Sequence, residues 1–322
     1  MTLFMVTLTK TQMKSKTSTF LLKWLDKHTH NISFEGVDEA VLRGFCVRKD
    51  ANSDTAVLFL NGRGDNIFQY AEFYYDLINQ LGCHLYTFDH RGQGYSSRLT
   101  KNRWKGHVSS YDDYVADVET FFVKFIKPKS YKKIILVGHS MGGGIGVLWA
   151  SQTTQIINKM YLSAPMFEVE SPIPSWIAKP ALSLLCLFGM SKLFLIGSPG
   201  KPSIGAFGSN KLTKDKERYE LMCELNRMTD GNPILVRPTN GWGLATFKAS
   251  DKINKLIKNL DCTEGTIFQA GEEQYIKNNA HKSLLPLGWK TILLDNQYHQ
   301  LLHSEDKARN IIINTIVEDW KE

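Results

Sequence analysis

One turn constrains this chain more than any other feature. Residues 133–137 form a short apolar run rich in β-branched side chains, and residues 141–154 carry the apolar content of a buried helix. Between them lies Gly138-x-Ser140-x-Gly142. A chain that passes from strand to helix so abruptly forces its central residue into strained backbone. Side chains two positions to either side would collide, and glycine at 138 and 142 removes them. The bend presents a serine hydroxyl at the top of a strand, and the helix beginning beneath it favours negative charge developing there. Ser140 is therefore the candidate nucleophile.

The surrounding pattern says what kind of sheet carries that turn. Apolar runs at 41–47, 55–60, 83–88, 133–137 and 159–163 read as strands, and 66–81, 109–126 and 141–154 as helices. Such alternation predicts an α/β protein, a mostly parallel sheet with helices on both faces. Together with the serine turn it predicts the α/β-hydrolase fold. The alternation stops at Phe167. It resumes with a helix at 250–259, a strand at 266–270, a helix at 272–284, a strand at 290–294 and a helix at 304–320. Residues 167–237, rich in Pro, Gly, Trp and Leu, read as an inserted helical lid over the carboxyl ends of the strands, where ligands bind in open α/β sheets. Residues 1–30 read as a basic lead-in containing Lys10, Lys14 and Lys16. That leaves 31–166 and 238–322 as the core.

A serine hydroxyl needs a base, and the base needs an acid to orient it. On this fold the acid and then the histidine follow the serine along the chain. Of nine histidines, only His281, His299 and His303 follow the insertion. His281 falls in the predicted helix 272–284 and reads as a surface residue. His303 abuts Ser304, Glu305 and Asp306, which resemble a helix cap and first turn. His299 lies free in the loop after strand 290–294 and is the better base. The acid belongs just past strand 266–270, where Glu272 and Glu273 both qualify. Asp295 is a rival but reads as a turn-capping residue. An oxyanion needs two backbone N–H donors. Met141 supplies one, and Arg63, between Gly62 and Gly64 in the loop after strand 55–60, supplies the other.

Composition narrows the partners. The net charge of +7, from 39 basic and 32 acidic residues, reads either as a solubilising charge or as attraction to an anionic membrane surface or an acidic substrate. The basic residues are not gathered into an arm and no nucleic-acid motif is present, so nucleic acid is set aside. Lys124, Lys127, Lys129, Lys132 and Lys133 precede the nucleophile strand and read as a solvated face at the sheet bottom. The five cysteines (Cys46, Cys83, Cys186, Cys223 and Cys262) form no CxxC pair and read as small hydrophobes in a reducing compartment, not as disulfides or a metal site. No cofactor or metal is called for, and no protein partner is evident. Residues 1–8 lack the order of a signal peptide. The most apolar stretch, 176–197, is broken by Lys179, Pro180, Gly189 and Lys192 and is too short to span a bilayer. These features predict a cytoplasmic protein with peripheral contact to an anionic membrane. The insertion's apolar side chains, Trp176 and Leu187 among them, exceed what a small cap buries. With Trp242 they are the candidates for substrate contact.

Several segments carry a family resemblance: Asn61-Gly-Arg-Gly-Asp, Phe88-Asp-His-Arg-Gly-Gln-Gly-Tyr-Ser, Gly106-His-Val, Gly138-His-Ser-Met-Gly-Gly, Pro238-Thr-Asn-Gly-Trp, Gln269-Ala-Gly-Glu-Glu and Tyr298-His-Gln-Leu-Leu. Together they resemble bacterial inner-membrane lysophospholipases, part of a wider group that includes monoacylglycerol lipases. The resemblance runs from about residue 33 to the C-terminus and is weak in the insertion. It implies Glu273, not Glu272, as the acid and His299 as the base. The wider group often carries Asp at the acid position and His-Gly where this chain has Asn61-Gly62. The 89–96 loop, His90 and His107 are then structural. The activity implied is cleavage of the acyl ester of a single-chain lipid, most simply a lysophospholipid. A monoacylglycerol lipase or general carboxylesterase is the alternative. An aminopeptidase or a non-catalytic binding protein would be a different class.

Overall fold

The computed structural model describes residues 18–50, 52–198, 205–228, 236–260 and 264–320. At its centre is an eight-stranded sheet. Its strands are β1 (Thr29–Glu35), β2 (Val41–Val47), β3 (Thr55–Leu60), β4 (His84–Phe88), β5 (Lys133–His139), β6 (Lys159–Ser163), β7 (Glu264–Ala270) and β8 (Lys290–Leu294). Across the sheet they run β1-β2-β4-β3-β5-β6-β7-β8. β2 pairs antiparallel with both β1 and β4, and every other pairing is parallel. This is the α/β-hydrolase architecture. All of β3 is buried, as an unbroken apolar strand covered on both faces must be.

Helices cover the two faces and make two cores. Tyr114 and Phe121 of α3 (Tyr111–Phe121) and Ile145 and Trp149 of α4 (Met141–Ala150) pack with Leu58 and Leu136. On the opposite face, Leu21 and Leu25 of α1 (Ser18–His28), Leu77 of α2 (Ala71–Leu81) and Ile312 and Ile316 of α8 (Asp306–Glu318) pack with Val57, Phe59 and Val137. Successive residues of β3 and β5 thus feed opposite cores, as strand pleating requires.

Several elements depart from the sequence reading. Residues 18–28, expected in a polar lead-in, form α1, whose buried leucines anchor it to the sheet; Lys10, Lys14 and Lys16 lie outside the described residues. The helix expected at 250–259 begins much earlier, as α7 (Asn240–Leu256), with the Thr239 side chain accepting from Trp242 N–H at 3.2 Å. Gly241 weakens the helical signal there, yet a Cβ at that position would lie 2.6 Å from the His107 ring. No α-helix forms over 272–284; the chain runs as a loop into a 3₁₀ segment, Asn278–Leu287. His281, expected at the surface, is buried: Nε2 donates to Pro165 O at 2.8 Å and Nδ1 accepts from Gln269 Nε2 at 2.9 Å.

Between β6 and β7 the described chain contributes α5 (Ser175–Leu187), α6 (Lys216–Met228) and α7. Ala178 and Leu182 of α5 pack on Leu244 and Phe247 of α7. The outward side of α5 leaves Trp176 75% and Leu187 79% exposed, with Leu184 and Phe188 also exposed. α6 is tied down by Arg218, which is fully buried. It meets Glu72 at 3.0 Å, Asp215 at 3.4 Å and Asp306 at 2.7 Å, and donates to Ser304 O at 2.9 Å. Among the described residues no helix is long and apolar enough to cross a membrane. Cys46, Cys83, Cys186 and Cys223 are free thiols, and Cys262 lies outside the described residues.

Candidate active site

The turn after β5 has the strain its sequence implied. Ser140 sits at φ 50°, ψ −117°, a backbone conformation rarely adopted by a non-glycine residue. A Cβ at Gly138 would lie 2.7 Å from Gly143 Cα, and one at Gly142 only 2.2 Å from Leu60 O. The two glycines therefore serve different contacts, one with the helix that follows and one with β3. Met141 opens α4, so its N–H has no acceptor within the helix.

Ser140 Oγ and His299 Nε2 are 2.8 Å apart. His299 Nδ1 lies 2.7 Å from Glu273 Oε2. The other carboxylate oxygen, Oε1, accepts from the N–H groups of Gln274 at 2.9 Å and Tyr275 at 2.8 Å. Burial pushes the Glu273 carboxyl up. The hydrogen bond and charge of His299, with the two N–H donors, outweigh it and hold the group below its ordinary value. With an anion on Nδ1, the imidazole carries its proton there and leaves Nε2 free to accept from the serine hydroxyl. The structure thus brings Ser140, His299 and Glu273 into one hydrogen-bonded line. Such a line can activate a hydroxyl for attack on a carbonyl carbon.

The alternatives lie elsewhere. Glu272 bonds the Lys214 ammonium. Asp295 is exposed in the turn that ends β8. His303 is buried, with Nε2 donating to Gln69 O at 3.0 Å.

The loop after β3 supplies a free donor. Gly62 N–H donates to Asp65 Oδ2 at 3.1 Å and Gly64 N–H to Gln93 Oε1 at 3.0 Å. The Arg63 N–H between them has no acceptor among the described residues. Asp65 is braced by the Tyr70 hydroxyl at 2.5 Å, and Gln93 Nε2 closes the loop onto Gly62 O at 2.7 Å. Asn61 donates to Asp89 Oδ1 at 3.2 Å, while its own Oδ1 is buried without a hydrogen-bond partner among the described residues.

The 89–96 loop is structural, as expected. Asp89 also accepts from Ile67 N–H and Tyr95 N–H, and Arg91 makes a buried pair with Asp117 at 2.6 Å. His107 is satisfied by Thr239 Oγ1 at 2.8 Å. His90 is buried, and its one polar neighbour among the described residues is the Asn61 backbone. Its ring packs edge-on against Phe88 and Tyr114.

Of the substrate-contact candidates, Trp242 lies under the Arg63 guanidinium at 5.2 Å, while Trp176 and Leu187 stand on the outer side of α5. Sequence reasoning missed two residues beside the line. The rings of His139 and Tyr275 each pack 5.1 Å from that of His299. His139 is kept neutral by burial. Nothing local in the sequence marks either role, because both depend on His299 arriving from far along the chain.

The family model described as "Hydrolase_4: Serine aminopeptidase, S33" matches residues 51–306. The chain belongs to this family. It is 29% identical over 295 residues to the Lysophospholipase L2 of Escherichia coli (strain K12), covering 88% of this chain and 85% of that protein. Among solved structures it resembles a highly thermostable carboxyl esterase from Bacillus coagulans in complex with glycerol. The TM-score is 0.74 at 14% identity, covering 91% of this chain and 97% of that one. It also resembles a soluble variant of monoglyceride lipase from Saccharomyces cerevisiae in complex with a substrate analog. There the TM-score is 0.66 at 18% identity, covering 90% and 94%. At these identities the two structures speak for the fold that this Hydrolase_4 member shares with them.

Proposed function

We propose that the protein hydrolyses the acyl ester of a single-chain lipid, a lysophospholipid, through Ser140, His299 and Glu273. The observation that carries this reading is the unbroken line from serine through imidazole to a buried carboxylate. The Lysophospholipase L2 relative supports the substrate class.

Attack begins as His299 Nε2 takes the Ser140 proton and Oγ bonds the ester carbonyl carbon. The tetrahedral oxyanion lies against the N–H groups of Arg63 and Met141. Glu273 stabilises the imidazolium and keeps its proton on Nδ1. Collapse breaks the bond to the glycerol oxygen, which leaves with the proton from Nε2. Water then enters, gives its proton to His299 and releases the fatty acid from the acyl-serine. A peptide substrate with a free amine would call for a free acidic group near the site; the nearby Asp65 is engaged by Gly62 N–H and the Tyr70 hydroxyl, which supports the ester reading.

Residues 167–237 act as the lid, and the outward side of α5 with Trp176 and Leu187 meets the lipid surface. Complete burial of such side chains contributes about 1.5–3 kcal/mol each. Lys192, exposed in the same apolar stretch, meets anionic lipid, whereas Lys179 is paired with Asp251 at 2.6 Å. On this reading the protein works peripherally on the cytoplasmic face of an inner membrane.

The test is a panel of lysophospholipid, monoacylglycerol, short ester and aminoacyl-peptide substrates with wild type and Ser140→Ala. Wild type should cleave the esters, and Ser140→Ala should lose at least about a thousandfold of that activity. Cleavage of the peptide alone, or ester hydrolysis that survives Ser140→Ala, would overturn the reading.

A further inference from the structure

The side chain of Arg63 has no part in the chemistry above. Its Nη1 donates to Val236 O at 3.2 Å and its Cζ stands 5.2 Å over the Trp242 ring. Its charge also reaches Tyr275, the ring packed on His299. The residue is open to solvent. Neighbouring groups crowd the guanidinium and pull it below its ordinary arginine value. Among the described residues no carboxylate pairs with it. The neighbouring Asp65 is engaged by Gly62 N–H and the Tyr70 hydroxyl. Arg237, next in the chain after Val236, adds a second positive charge acting on Arg63, and its buried Nε has no hydrogen-bond acceptor. The Asp65 carboxylate offsets part of this positive charge on Arg63, and a bound anion would offset more of it.

We propose that Arg63, backed by Arg237, is an anion subsite that receives the phosphate of a glycerophospholipid headgroup while the ester carbonyl of the same molecule lies against Ser140. This rests on the ester-hydrolase reading and narrows it. One residue would then grip the substrate at two points, its backbone N–H at the carbonyl oxygen and its planar guanidinium fork at the phosphate. The glycerol between those groups spans only a few bonds, comparable with the reach of an arginine side chain. A neutral monoacylglycerol offers only a hydroxyl there, so Arg63 would set the preference between the two lipids.

Two measurements test this. The first follows hydrolysis of a short soluble ester by wild type in the presence of glycerol 3-phosphate, with glycerol as the uncharged control. Glycerol 3-phosphate should compete and glycerol should not; equal or absent inhibition overturns the proposal without any variant. The second compares kcat/KM for a lysophospholipid and a monoacylglycerol of the same acyl chain. Losing a charge-assisted contact should lower the lysophospholipid-to-monoacylglycerol ratio by about tenfold or more in Arg63→Gln. The inhibition constant for glycerol 3-phosphate should rise to match, and Arg63→Lys should recover part of both. The ratio is the readout because both activities can fall when the oxyanion loop is disturbed. An unchanged ratio in folded Arg63→Gln, or wild type that cleaves monoacylglycerol but not lysophospholipid, sinks the subsite and leaves the ester-hydrolase reading standing. Wild type that cleaves no ester sinks that reading itself.

Discussion

Adjacent glutamates offer a sharp test of the site, because the structure gives them different neighbours. The Glu273 side chain is 4% exposed and that of Glu272 43%. Glu273 uses both oxygens: Oε2 faces His299 Nδ1 at 2.7 Å, while Oε1 accepts two backbone N–H groups. A glutamine at this position must keep its one carbonyl oxygen on those two donors. Its amide nitrogen then points at Nδ1 and donates to it. That forces the imidazole proton onto Nε2, the tautomer that cannot take a proton from Ser140. The same substitution of the orienting acid in a serine protease triad lowers kcat by about 10⁴, equivalent to about 5.5 kcal/mol of barrier. Glu273→Gln should therefore lose on the order of 10³–10⁴ in kcat on a short soluble ester. Glu272→Gln breaks only a partly exposed ion pair, worth about 0–1 kcal/mol of stability, and should leave kcat nearly unchanged. The assay is steady-state hydrolysis by both variants, with thermal unfolding to establish that each is folded. Equal, mild losses, or a Glu273→Gln enzyme retaining a tenth of wild-type kcat, would refute the tautomer argument and return Asp295 to consideration.

Other outcomes follow from the same geometry. Leu187→Asp, at a side chain 79% exposed, should unfold within about 0.5 kcal/mol of wild type. It should lower activity on long-chain lysolipid while sparing a short ester; if both activities fall together, α5 is only a cap. Arg218→Met leaves buried Asp215 without its cation and Glu72 with Arg309 alone at 3.8 Å, and should destabilise by about 3 kcal/mol in urea unfolding; a much smaller loss would show the cluster to be weakly coupled. Burial holds His90 at about 3 and His107 at about 4. The unfolded chain takes up those protons below about 6.5, so their contribution is complete above that pH and is lost as pH falls towards 4. Between pH 7 and 5 each should cost about 2 kcal/mol, read as a falling urea midpoint, and a flat midpoint over that range contradicts the assignment.

What was legible in the sequence was whatever a dozen neighbouring residues settle among themselves. The turn at Ser140 is dictated by backbone sterics within five residues, and β3 and β5 by unbroken apolar runs that need cover on both faces. The order of serine, glutamates and histidine along the chain was legible too, because this sheet brings the ends of β5, β7 and β8 to one edge. The rest depended on partners distant in sequence. Residues 272–284 hold apolar positions at helical spacing, yet Glu273 must reach His299, and its carboxylate holds the Gln274 and Tyr275 N–H groups in a loop. His281 read as a surface residue until Pro165 O and Gln269 closed over it. Gly241 argued against a helix that close packing on His107 requires. Arg63 entered as a backbone donor, and its guanidinium gained a setting only when Val236 and Trp242 were folded around it. In each case the local preference is worth about 1 kcal/mol or less per residue, while a buried contact or an unsatisfied polar group is worth more. Long-range packing therefore wins wherever the two disagree.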